Sequence, residues 1–386
     1  MLKTTLRRSF GVLIVLLLMM CPLLASATED GEVKTNAKSS LLMDAASGEV
    51  LFEENALARL PIASVTKVMT LNLIFDAVES GQISLEEKIT VSPHAQSMGG
   101  SQVFLDAGYE YEAQELIKAI IMASANDAAV AMAEQVAGSE EAFAAQMNKK
   151  AQKLGMTETH FANATGLPAQ EHYSCARDVA LMSRELLGHE DYFRWSTLWT
   201  DEIRHEKDGR VTGLVNTNRL IRTLAGCDGI KTGSTNEAGF CIAATAQRDG
   251  RRYIAVILGD ATGKERFADA GKLLGYAFAS FESKVMCAGG EVVETLPLTG
   301  GREKNVTVTA RETLRVSTRR DGSETLETSL DLPETLQAPL QAGEVVGTLT
   351  VLKNGTPVAQ TALVAQNDCP RAGFWDRLKD IFSFGK

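Results

Sequence analysis

The sequence predicts an α/β fold, an antiparallel sheet flanked by helices, followed by a small all-β domain and a C-terminal amphipathic helix. Three observations carry this. β-like runs stand near both ends of residues 36–285, with helical patterns between them. From Val292 to Gln366 the pattern switches to period-two alternation. Phe374 to Lys386 then returns to helical periodicity after Pro370.

Ser40–Met43 and Val50–Phe52 read as two strands joined by Ala46-Ser47-Gly48. A helix is expected from near Ser64 through Val68, Leu71, Ile74, Phe75 and Val78 to a stop at Ser80-Gly81. Glu112–Ala123 and Asp127–Val136 are two further helical patterns. Ser139 opens another, with Glu140 and Glu141 in its first turn and Gly155 as its stop. Ala176–Leu187 is the next. After Gly226 come the β-like runs Gly229–Gly233, Phe240–Ala246 and Tyr253–Gly259, the last two joined by the hairpin signal Asp249-Gly250. Phe267–Ser280 returns to helix, and the sheet is expected to be closed by the two ends of this segment. In the β-rich part, Val306–Thr309 and Thr348–Val351 alternate, and Asn354-Gly355 marks a hairpin.

The two ends of the chain carry their own signals. Lys3, Arg7 and Arg8 precede an apolar run from Gly11 to Leu24 and the small-residue site Ala25-Ser26-Ala27. Residues 1–27 therefore read as a secretory signal peptide, too short and wrongly flanked to span a membrane. In the tail, residues 371–386, one helical arc gathers Phe374, Trp375, Leu378, Ile381 and Phe382, with Arg377 and Lys379 on its flanks. Large aromatics with flanking cations suit a helix lying in a membrane interface, the alternative being a helix docked on the protein's own core. The chain is thus expected to be exported and held at the outer face of the cytoplasmic membrane.

At 386 residues there is room for about two domains, read here as residues 36–285 and 290–368. The formal net charge is −10 and becomes more negative once the signal's bases are removed. No basic stripe is present, so nucleic acid is not an expected partner. Cysteines at 175, 227, 241, 287 and 369 show no metal-ligand spacing. Cys227 and Cys241 flank one short motif and are free to pair or to act as small buried hydrophobes.

That motif is one of three. Ser64-Val65-Thr66-Lys67 places a hydroxyl and an amine three residues apart, on one face of a helix. A serine needs a base to become a nucleophile. Lys67 can be that base if burial or a neighbouring cation disfavours its ammonium form, and Lys231 can supply the cation. Ser124-Ala125-Asn126 falls in the break between two helices, where Ser124 can relay a proton and Asn126 can hold Lys67 and a substrate amide. Lys231-Thr232-Gly233 lies on an expected strand, where Gly233 permits close backbone approach and an extended peptide could pair along the edge. Alone, the first two strings are weak: Ser383-Phe384-Gly385-Lys386 and Ser234-Thr235-Asn236 match them as well. All three in order are specific.

The set resembles that of penicillin-binding proteins and class A β-lactamases. It is most similar to the low-molecular-mass penicillin-binding proteins, the serine-type D-alanyl-D-alanine carboxypeptidases. Pro61–Thr70, Ser124–Ala129 and Asp228–Gly233 carry the resemblance, with Leu154-Gly155-Met156, His160-Phe161 and Asn216-Thr217-Asn218 in support. The resemblance implies a β-lactamase/penicillin-binding-protein-like domain and acyl transfer without metal or cofactor. Ser64 would attack the carbonyl between the two D-alanines of a peptidoglycan pentapeptide, Lys67 would be general base, and Ser124 would pass the proton to the leaving D-alanine. Backbone N–H groups of Ser64 and Ser234 would form the oxyanion hole, and Thr232 and Arg266, the latter placed just before the final helix, would bind the terminal carboxylate. β-Lactam antibiotics would acylate Ser64. Ser234 stands where some members carry histidine. Two other readings share the fold: a class A-like β-lactamase, against which the absence of a Glu-x-x-Leu-Asn string argues, and a catalytically silent wall-binding protein, against which the intact triple argues.

Overall fold

The computed structural model of the chain describes residues 33–373. The expected signal peptide, the tail helix from Phe374 and the second Ser-x-x-Lys string lie outside the described residues.

A five-stranded antiparallel sheet organises the first part. Its strands are β1 (Ser39–Asp44), β2 (Val50–Glu54), β3 (Cys227–Thr235), β4 (Gly239–Arg248) and β5 (Arg251–Asp260), in the order β2-β1-β5-β4-β3. The register pairs Leu41 with Val256 and Met43 with Ile254, so the N-terminal strand is sealed to the end of the segment by backbone bonds. Between β2 and β3 run α1 (Lys67–Glu79), α2 (Ala113–Ala123), α3 (Asn126–Ala137), α4 (Glu140–Lys153) and α5 (Ala176–Leu186); α6 (Gly263–Ser280) follows β5.

Alternation along the strands divides the core. Leu41, Met43, Ile254, Val256 and Leu258 join a large cluster with Val68, Ile74, Phe75, Ile117 and Met132 from the helices. The residues between them face α6, where Tyr253 meets Phe278 edge-on at 5.0 Å. Helix α1 is buried nearly all round, which places it at the centre of the helical layer.

Several local expectations hold for their stated reasons. The Ser139 side chain caps α4 by accepting from Ala142 N, and Gly155 ends that region at φ +75°. Asp249 and Gly250 both have positive φ, as a two-residue hairpin turn requires. Two boundaries differ. A 3₁₀ turn, Ala63–Thr66, precedes α1, so Ser64 sits ahead of the regular helix. Helix α6 starts at Gly263, capped by the Thr262 side chain, so Arg266 lies inside its first turn and not ahead of it. Two small two-stranded sheets were not legible: Lys88–Thr90 with Glu110–Glu112, and Thr200–Arg204 with Val211–Val215. Strands this short show little alternation.

All five described cysteines are free and buried. Pairing of Cys227 with Cys241 is excluded by register: Cys241 lies opposite Gly233, roughly 20 Å along the strand from Cys227 at about 3.3 Å per residue.

The β-rich part begins at Phe281, directly after α6. Phe281–Cys287 pairs with Leu314–Arg319, and a six-stranded sheet packs its own core of Val306, Val308, Val316, Val351 and Leu363. It is joined to the first sheet by buried polar bonds. Ser317 Oγ donates to the Asp44 carboxylate, and Lys353 Nζ donates to Glu49 and to the Ser317 carbonyl.

At Gly250 (φ +73°) a side chain would meet no atom within 4 Å. Gly250→Ala therefore isolates backbone strain and should lower stability by about 1–2 kcal/mol, read as a reduced urea midpoint with unchanged slope.

Candidate active site

Ser64 is placed by its neighbours. Ile62, Val65, Val68 and Met69 are fully buried around it, which turns the half-buried serine outward from the core. Three residues on, Lys67 is fully buried, and its Nζ lies 3.0 Å from Ser64 Oγ, 2.6 Å from Asn126 Oδ1 and 2.8 Å from the Thr165 carbonyl. Asn126 Nδ2 donates to the Gly99 carbonyl at 2.7 Å, which fixes the amide so that Oδ1 faces the lysine.

This geometry decides what Lys67 can do. A neutral amine has two N–H donors and one lone pair. Asn126 Oδ1 and the Thr165 carbonyl can only accept, so they take both donors. The lone pair is left for Ser64, whose hydroxyl can donate. Burial, and then the charge of Lys231, push the Lys67 pKa well below its ordinary value, with Asp127 opposing. Lys231 is itself lowered to about 7 by burial and by Arg266.

Ser124 ends α2 in the left-handed conformation (φ +62°), and its buried Oγ has no hydrogen-bond partner among the described residues. Asn126 opens α3 two residues later, with its N–H on the Ser101 carbonyl. The helix break thus brings Asn126 onto Lys67 and leaves the Ser124 hydroxyl uncommitted.

β3 is an edge strand of the sheet. A Cβ on Gly233 would lie 2.8 Å from both Ile62 O and Ser64 N, so glycine here lets the strand press on the Ser64 turn itself. Thr232 Oγ1 donates to Thr217 Oγ1 at 2.8 Å, Lys231 Nζ donates to the Thr232 carbonyl, and Ser234 is exposed. Arg266 is buried between Phe240 and Phe267 and donates to the carbonyls of Gly233 and Cys241. Its Nη1 is thus engaged with the backbone of β3 and β4, and its Nε has no hydrogen-bond partner among the described residues.

The sequence analysis missed one supporting segment, residues 163–172. Asn163 Oδ1 accepts from Thr165 N, Thr165 Oγ1 and Gly166 N, closing a turn that aims the Thr165 carbonyl at Lys67. Gly166 (φ +81°) packs so closely that a Cβ would lie 1.9 Å from Ala63 O. The Ala164 carbonyl accepts from Thr70 on α1. His172 Nδ1 accepts from Ala162 N, so its Nε2–H donates to Thr66 Oγ1 at 2.8 Å. The Asn-x-Thr-Gly string is a turn signal, but nothing local says which side chain the turn faces. Asp127, also missed, accepts from Val103, Leu105 and Ala128 N–H groups and holds the loop that carries the Gly99 carbonyl.

Residues 25–262 match the family described as D-alanyl-D-alanine carboxypeptidase, and residues 281–371 match the penicillin-binding protein 5 C-terminal domain. The chain is 40% identical over 360 residues to D-alanyl-D-alanine carboxypeptidase DacF of Bacillus subtilis (strain 168), covering 92% of each. Among solved structures, penicillin-binding protein 5 from Haemophilus influenzae superposes with TM-score 0.76 at 28% identity, over 88% of this chain and 99% of that one. Penicillin-binding protein D2 from Listeria monocytogenes, solved in its ampicillin-bound form, gives TM-score 0.55 at 31% identity, over 64% of this chain and 100% of that one.

His172 generates a pH test. Burial and the neighbouring His160 lower its pKa from 6.5 to about 4. Between those values the unfolded chain holds a proton that the folded chain refuses. Stability should therefore fall as pH drops from 6.5 towards 4, by at most about 1.4 kcal/mol per pH unit. Urea midpoints across that range should show the slope, and His172→Gln should reduce it.

Proposed function

The chain belongs to the D-alanyl-D-alanine carboxypeptidase family, and on that premise we propose that it removes the terminal D-alanine from peptidoglycan stem pentapeptides through an acyl-enzyme on Ser64. The observation that carries the reading is the Lys67 amine, buried and 3.0 Å from Ser64 Oγ, with its two other partners restricted to accepting.

The steps follow from the placement. A pentapeptide lies along β3, whose outer edge pairs with no strand among the described residues, by strand addition. Ser64 Oγ attacks the carbonyl between the D-alanines while Lys67 takes its proton. The N–H groups of Ser64 and Ser234 donate to the developing oxyanion; one such donor is worth ~10²–10³ in rate. Ser124, whose hydroxyl is uncommitted, hands the proton to the departing D-alanine. Water then attacks the ester and gives its proton to Lys67, which returns it to Ser64 Oγ as the Oγ–acyl bond breaks and the shortened peptide leaves. Lys231 and Arg266 give this end of the site its positive charge, with the Thr232 hydroxyl meeting the terminal carboxylate and Arg266 supporting it from behind Gly233. β-Lactams enter as mimics of the acyl-D-alanyl-D-alanine group, a reading supported by the ampicillin-bound relative.

We also propose that the residues ahead of Phe281 carry the chemistry and that the β-rich residues from Phe281 form a separate domain, a boundary slightly earlier than the expected 285/290 because Phe281–Cys287 pairs with Leu314–Arg319. Export follows from the reading of residues 1–27, and peripheral attachment from the apolar arc of the tail. No helix of the described residues is long and apolar enough to cross a membrane.

Two tests follow. Intact mass after exposure to penicillin should show a lasting adduct that is absent in Ser64→Ala. Lys67→Gln should slow acylation by ~10²–10⁴. The wild-type rate should rise with pH through a midpoint below the ordinary lysine range, and Lys231→Gln should move that midpoint upward, because a lost cation restores the Lys67 ammonium. No adduct with rapid drug consumption would mean a β-lactamase; no adduct and no consumption would mean a silent site. Separately, deleting 374–386 should release the protein from sedimenting membranes with hydrolysis retained, and continued sedimentation would remove the anchor.

A further inference from the structure

A second cluster of functional groups lies on the helical layer, built by segments far apart in sequence. Asp76 and Glu79 are one turn apart on α1, Lys150 is on α4, Glu185 is on α5, and His189 follows α5. His189 is 6% exposed, and its ring stacks on Phe75 at 5.6 Å. Nδ1 lies 2.6 Å from Glu79 Oε1. A carboxylate accepts, so Nδ1 carries the hydrogen and the neutral ring presents a lone pair at Nε2. That nitrogen is buried without a hydrogen-bond partner among the described residues, 3.8 Å from Asp76 Oδ1. One ligand atom from each of Asp76, Glu185 and His189 falls within 4.8 Å of the others.

Lys150 Nζ now bridges the two carboxylates, 2.7 Å from Asp76 and 2.8 Å from Glu185. It satisfies them and leaves the imidazole nitrogen unserved. One ammonium against the carboxylates of Asp76, Glu79 and Glu185 also leaves negative charge uncompensated, tempered by Lys149 and Lys153 on the same cleft. That cleft, about 590 Å³, opens beside Lys150 and gives its side chain a way out to solvent.

We propose that Asp76, Glu185 and His189 form a divalent transition-metal site of zinc-like preference, which a metal ion and the Lys150 ammonium occupy in competition. The donor set is one that zinc accepts, two carboxylate oxygens and an imidazole nitrogen. Glu79 supplies the carboxylate behind the histidine that orients a metal-bound ring. Water would complete the coordination from the cleft. The ion would tie α1 to α5 in a way independent of the Ser64 chemistry.

The experiment is calorimetric titration of chelator-treated mature protein with zinc, alongside Lys150→Gln, His189→Gln and Glu185→Gln. One zinc per chain is expected, bound at least about tenfold more weakly by His189→Gln and Glu185→Gln, and more tightly by Lys150→Gln, where the competing cation is gone. Glu185 is partly exposed, so its variant serves as the test if His189→Gln does not fold. No zinc heat in either wild type or Lys150→Gln would overturn the proposal. So would binding that Glu185→Gln leaves unchanged, because the metal would then sit elsewhere.

Discussion

A lysine amine sealed from water has to be given hydrogen-bond partners by the protein, and the charged form has to be disfavoured if the cost is to be bearable. In this chain that demand is met at Lys67 by three segments. The Ser64 turn precedes it by three residues, Asn126 comes from the break between α2 and α3, and the Thr165 carbonyl comes from a side-chain-closed turn. Each of these then needs its own support. Asn126 is oriented by the Gly99 carbonyl, whose loop hangs on the buried Asp127. Thr165 is held by Asn163, and that turn is seated on the Ser64 turn because Gly166 has no side chain.

The same constraint explains the run of cations behind the strand. Burial lowers both lysines first; on top of it Arg266 lowers Lys231 and Lys231 lowers Lys67, so each buried charge weakens the next. Such a line is unfavourable for an empty site and favourable for one that receives a carboxylate, which is what the proposed substrate carries at its terminus. Arg266 lies inside the first turn of α6, donating to the Gly233 carbonyl. It therefore acts on the strand edge and the electrostatics together.

The β-rich part is not loosely tethered. Helix α6 runs straight into the strand that starts at Phe281, and the Arg251 guanidinium donates to the Phe281 carbonyl at 2.8 Å. Lys353 is buried at the junction with Glu49, whose carboxyl is raised by burial against the pull of that lysine. Buried pairs of this kind contribute little net stability, but losing one partner strands the other, which makes the junction specific.

Much of this was legible in the sequence, because it is written at short range. Amphipathic period, the Ser139 cap, the Asp249-Gly250 turn and the Ser64/Lys67 spacing each depend on neighbours within about four residues, and each stands where the pattern places it. The strand runs after Gly226 likewise announced the closing half of the sheet. Asn126 on Lys67, Lys231 as its neighbouring cation and the closing of the sheet by both ends were read from the motif set, but most other relations between distant segments stayed hidden. The Thr165 carbonyl has no side-chain signature at all, since any residue could present it. The seating of Gly166 and Gly233 depends on backbone that arrives from a hundred or more positions away. In the Asp76–Glu185–His189 cluster, Glu185 and His189 stand four residues apart, but Asp76 comes from α1, more than a hundred positions away, and nothing local points to it. Local sequence determined which residues could be a nucleophile, a base and a strand edge. Only tertiary packing decided how deeply Lys67 is buried, which acceptors consume its protons, and so towards which atom its lone pair is turned, because desolvation and hydrogen-bond direction are properties of the assembled surroundings and not of the chain.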